Sequence, residues 1–128
     1  MTAKEYLKRF AAVRREADEA EERLRRLNAR NRNRMDECQR EMEELTDLLI
    51  QKTKRCIGME IEIRERLEKI ENDEERTILA YRYIDEMAWT KIASRMHMSE
   101  RTVYYMHGRA LLHFRVPEDC TTLQSGKT

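Results

Sequence analysis

The chain has 128 residues, and 40% of them are Asp, Glu, Lys or Arg, with 26 basic side chains nearly cancelled by 25 acidic ones. Aromatic residues make up only 6%, which leaves little material for a large globular core. Three Gly and one Pro exclude a loop-rich β architecture, and no apolar run approaches the roughly 18 residues of a membrane span.

From the start, Thr2 followed by Glu5 has the spacing of a capping box and predicts a helix from the first residues. Tyr6, Phe10, Val13, Ala17, Ala20, Leu24 and Leu27 recur at steps of four and three, the pattern of a coiled-coil seam. The stripe breaks where Asn28, Asn31 and Asn33 alternate with Arg30, Arg32 and Arg34. Asn favours turns, so residues 29–33 read as a turn between two helices. One continuous helix with a polar layer is the alternative, since no Gly or Pro forces a stop.

A second stripe runs through Met35, Cys38, Met42, Leu45, Leu49, Cys56, Met59, Ile63, Leu67 and Ile70. From Leu45 onward it widens with Leu48, Ile50, Ile57 and Ile61, which predicts more than one neighbour. The first helix folding back would cover part of it, and a second copy of the chain would complete the thin core as a homodimer. Gly58 inside this helix predicts close packing or a kink. Residues 1–71 thus read as long charged helices. Asn72 with Glu75 marks a new helix start, 72–116 reads as a domain of short helices, and 117–128 as a disordered tail. The expected fold class is all-α: a long helical hairpin or coiled coil followed by a small helix-turn-helix domain.

Residues 89–108 carry that motif. Two short helices crossing through a tight turn need a small residue at the crossing, and Ala93 supplies it. Ile92, Met96, Met98, Val103 and Met106 fall on the positions that must be apolar, and Ser99 is placed to cap the second helix. Glu75–Ile84, Lys91-Ile92-Ala93, Ser99–Val103 and Arg109-Ala110-Leu111 together resemble region 4 of bacterial sigma-70-type factors, over about residues 72–115. The layout as a whole resembles small phage and prophage sigma-like regulators. Ala88, His97 and Lys91 depart from the family pattern, which usually has a capping Ser, a turn Gly and an acid there.

The resemblance implies a promoter-reading helix over 99–114 and contact with RNA polymerase. Glu100, Arg101, Tyr104 and Tyr105 would face base edges of double-stranded DNA, where Arg can read guanine and Glu can accept from cytosine. Lys91, Arg95, Ser99, Thr102 and Arg109 would face the phosphate backbone. Between Met87 and Val116 five basic residues stand against Glu100 alone, whereas residues 1–72 hold 18 basic and 17 acidic groups. The small basic excess therefore sits in the segment that would meet phosphate. No region resembling the promoter-melting part of a sigma factor is evident, so the chain reads as a transcription regulator that borrows the module. A DNA-recognising subunit of a phage packaging terminase is the alternative, as is a helical protein-interaction module.

Other features read more plainly. Arg23–Arg34 is expected to be a solvated helix face, Tyr81, Tyr83 and Trp89 core residues, and His107 and His113 surface groups near phosphate. Cys38, Cys56 and Cys120 have no metal-ligand spacing, and no phosphate loop or nucleophile motif is present. No enzyme activity, cofactor, metal or membrane association is expected. The mixed-charge start and unpaired cysteines point to a reducing cytoplasm, and the resemblance implies a bacterial one.

Overall fold

The computed structural model describes residues 1–30 and 35–117, with backbone alone for 35–38. All regular elements among the described residues are helical: α1 (Ala3–Arg30), α2 (Met35–Leu67), α3 (Asp73–Leu79), a π-helical turn (Ala80–Ile84), α4 (Trp89–Met96) and α5 (Glu100–His113). The protein is all-α. The expected disorder of the tail falls on 118–128, outside the described residues apart from Pro117, and most of the expected turn falls on 31–34.

Thr2 and Glu5 form the capping box, each accepting from the other's backbone N–H at 3.1 and 2.8 Å. The two long helices run antiparallel, because partners far apart in sequence converge along them. The Tyr6 hydroxyl donates to Glu62, 56 residues away. Lys52 donates to Glu16 at 2.8 Å across 36 residues. A hairpin, not one continuous helix, is the observed arrangement.

Two compact units result, one of Met1–Ala11 with Glu60 onward and one of Ala12–Met59. Residues 1–11 and 60–71, read from the sequence with the long helices, thus belong to the same unit as the C-terminal helices. In that unit Tyr6, Leu7, Phe10, Ile63, Leu67 and Ile70 are buried, as are Ile78, Leu79, Ile92, Val103 and Phe114. The other unit is thinner: Val13, Ala17, Ala20, Leu27 and Leu45 are buried, while Met42, Leu49 and Cys56 are half-buried.

α1 does not cover all of the widened stripe of α2. Ile50, Ile57 and Ile61 remain 47, 52 and 54% exposed. Gly58 also departs from expectation: α2 continues through it, and a Cβ placed there would meet nothing within 4 Å. No packing among the described residues explains this glycine, which costs about 1 kcal/mol against Ala in a helix interior.

Candidate nucleic-acid interface

The C-terminal helices assemble around Ile78, Ile92, Ala93 and Val103, with Tyr81, Met87, Trp89, Met96, Met98 and Met106 packed against them. Every apolar position expected for the α4–α5 crossing therefore lies in this cluster, and so do Tyr81 and Trp89. Ala93 has no side chain beyond Cβ, which lets α5 approach α4 closely.

The turn between α4 and α5 is closed by backbone hydrogen bonds. His97 takes a left-handed conformation at φ 56, ψ 44. The Met98 N–H then reaches back to the Ala93 carbonyl at 3.0 Å, a Schellman-type closure. Ala88, at the start of α4, makes no side-chain capping bond. Ser99 caps α5: its Oγ accepts from the Thr102 N–H at 3.1 Å and donates to the Thr102 Oγ1 at 2.9 Å. The Ser99 hydroxyl is thus engaged within the turn, and the Thr102 hydroxyl keeps its proton to donate outward.

All nine sequence-selected residues, Lys91, Arg95, Ser99, Glu100, Arg101, Thr102, Tyr104, Tyr105 and Arg109, are exposed on α4, its turn and α5. Their surroundings differ. Arg95 lies 5.8 Å from the Tyr81 ring, and Arg109 lies 6.0 Å from the Tyr105 ring. Arg109 also approaches the buried Glu75 carboxylate at 3.5 Å. Tyr104 leans on Trp89 with ring centroids 4.9 Å apart. Among the described residues Lys91 and Arg101 have no ion-pair partner, so their charge is turned to solvent alone.

Of the two histidines expected at the surface, His113 is there and His107 is not. His107 is buried rather than at the surface. Its Nε2 and the Tyr83 hydroxyl share a hydrogen bond of 2.7 Å, and its ring meets Trp89 edge-on at 4.7 Å. Burial, with smaller contributions from Lys4 and Arg82, lowers its pKa to about 4, so the ring is neutral near pH 7. The signal was available: Val103, His107, Ala110 and Phe114 recur at helical spacing, and all four are buried. His113 is half exposed and holds the Glu75 carboxylate through its Nδ1 at 2.6 Å.

Glu75 was read only as a capping partner. Its backbone N–H does donate to the Asn72 Oδ1 at 2.9 Å, but its side chain turns inward and is 1% exposed. The carboxylate joins α3 to α5 through His113 and Arg109, which fixes the end of α5 on the core. A shallow cleft of about 440 Å³ lies beside it, lined by Lys69, Glu71, Arg109, His113 and Arg115 among others. Among the described residues no three His, Cys, Asp or Glu side chains converge as a metal site. No described helix is long and apolar enough to cross a membrane.

The model of a family described as protein of unknown function, DUF1492, matches residues 15–114, and the chain belongs to that family. No curated protein and no solved structure matches it.

Proposed function

We propose that this DUF1492 protein is a sequence-specific binder of double-stranded DNA that regulates transcription, with α5 as the reading helix. The observation that carries the reading is the pair of unpartnered cations, Lys91 on α4 and Arg101 in the first turn of α5, beside the exposed Tyr104 and Tyr105. A helix fits the roughly 12 Å wide major groove, and the first turn of such a helix commonly meets base edges. Arg101 presents a fork suited to guanine O6 and N7, and Glu100 an acceptor for cytosine N4. Lys91 and Arg95 suit phosphates, and the Thr102 hydroxyl can donate to one. The bond between Arg109 and Glu75 directs that residue toward holding α5, with phosphate contact a secondary role.

The resemblance to sigma region 4 adds a promoter element as the target and RNA polymerase as a second partner. The long helices, with their uncovered isoleucines, support self-association. Bacterial cytoplasm is the compartment this reading implies, and a phage-derived origin agrees with the resemblance.

Selection of bound sequences from random duplex DNA, with and without polymerase, tests the reading, and recovery of no preferred sequence would overturn it. Arg101→Ala should cost about 1–3 kcal/mol on the selected site and relax preference at one position. Equal weakening on all sequences would remove Arg101 from base reading. Lys91→Ala should weaken binding on every sequence and lower the slope of log affinity against log salt by about 0.9. An unchanged slope would take Lys91 out of the phosphate set.

A further inference from the structure

α2 carries two seams. Leu45, Leu49, Cys56, Met59 and Ile63 are buried or half-buried along the first. The second consists of Asp47, Ile50, Lys54, Ile57, Ile61 and Arg64, at alternating steps of three and four residues, and every member is exposed. This alternation places the six side chains in one stripe, as in the seam of a coiled coil. Isoleucines about half exposed at three of six positions are unusual in a chain of which 40% is charged. Gly58 adjoins the stripe with open space where a Cβ would stand, so another helix could approach closely there.

We propose that this strip binds a second copy of the chain, α2 against α2 and antiparallel. The order along the strip is acid, Ile, Lys, Ile, Ile, Arg. Set against a reversed copy, Asp47 faces Arg64, Ile50 faces Ile61, and Ile57 faces the aliphatic stem of Lys54. The two-fold axis repeats each pairing, giving two opposite-charge pairs that flank a central apolar stretch. A parallel copy would set Asp47 against Asp47 and Arg64 against Arg64, so the charges select the antiparallel arrangement. The Arg64 Nε donates to Glu60 at 2.9 Å within the helix, which leaves the terminal guanidinium nitrogens for the second copy's Asp47. The proposal rests on the self-association reading and is independent of DNA binding.

Sedimentation equilibrium of the full chain over a concentration series tests it, with circular dichroism as a check on folding. The expected result is a dimer that Ile57→Lys, which sets like charge against Lys54 of the second copy, converts to monomer with helicity retained. Asp47→Arg and Arg64→Asp should each raise the dimer dissociation constant by roughly tenfold or more, since each sets like charges face to face. The double variant Asp47→Arg/Arg64→Asp should return it to within about threefold of wild type, because both pairs are rebuilt with reversed sign. A wild-type chain that stays monomeric overturns self-association and this strip together. A dimer unmoved by Ile57→Lys, or a double variant that is not rescued, overturns this strip and leaves self-association standing. A ring larger than a dimer overturns the two-fold pairing.

Discussion

His107 sits under α5 between the Tyr83 hydroxyl and the edge of Trp89, where a neutral imidazole completes a hydrogen bond and fills space. Its folded pKa of about 4 lies below the ordinary value of 6.5. The unfolded chain therefore binds a proton on this residue at a higher pH than the folded chain does. Stability from this group is complete above pH 6.5 and is lost as pH falls from there toward 4, by about 3 kcal/mol at most. Urea midpoints measured between pH 7 and 4 should fall more steeply for wild type than for His107→Gln, which does not titrate there. Parallel curves would mean that His107 protonates in the folded state at no such cost. Glu75 holds the end of α5 through His113 and Arg109. Glu75→Leu would leave His113 without its carboxylate and release Arg109 to solvent, loosening the end of the helix.

The connections between helices show how much the residue pattern specifies locally. The capping boxes and caps at Thr2, Asn72 and Ser99 were legible because their chemistry acts over three residues. The apolar cluster of α4 and α5 was legible because crossing helices demand apolar groups at fixed spacing. The inward turn of Glu75 was not, since it depends on His113, 38 residues away. Nor was the burial of His107, because its polar residue type conceals its place in a buried stripe. The π-helical turn at Ala80–Ile84 lies in a stretch whose apolar spacing reads as ordinary helix. Two weak points of α4 can be tested directly. Ala88→Ser supplies the missing cap, and His97→Gly relieves the cost of a left-handed residue, so each should stabilise the fold by about 1 kcal/mol. Thermal unfolding would show a rise of a few degrees for each; no rise for Ala88→Ser would mean that water already satisfies those N–H groups.

At the scale of the molecule, the small helices share one compact unit with the first turns of α1 and the end of α2. Tyr6, Leu7 and Phe10 are buried in the same unit as α3, α4 and α5, and the Tyr6 ring lies 6.0 Å from that of Phe114. A fragment of residues 72–117 would lose these side chains together with Ile63, Leu67 and Ile70. We expect it to lack a cooperative unfolding transition, as read by far-ultraviolet circular dichroism during heating. The full chain should show one, and a fragment that unfolds cooperatively would establish the short helices as self-sufficient. The contact between Tyr6 and Phe114 also has a temporal meaning. The first turns of α1 leave the ribosome long before Phe114, just past the end of α5, has been made. During synthesis those turns remain without their native cover, and the unit can close only when residue 114 has emerged. A chain interrupted before that point would carry the long helices but an unfinished C-terminal unit, so the DNA binding proposed for this fold would arrive last and all at once.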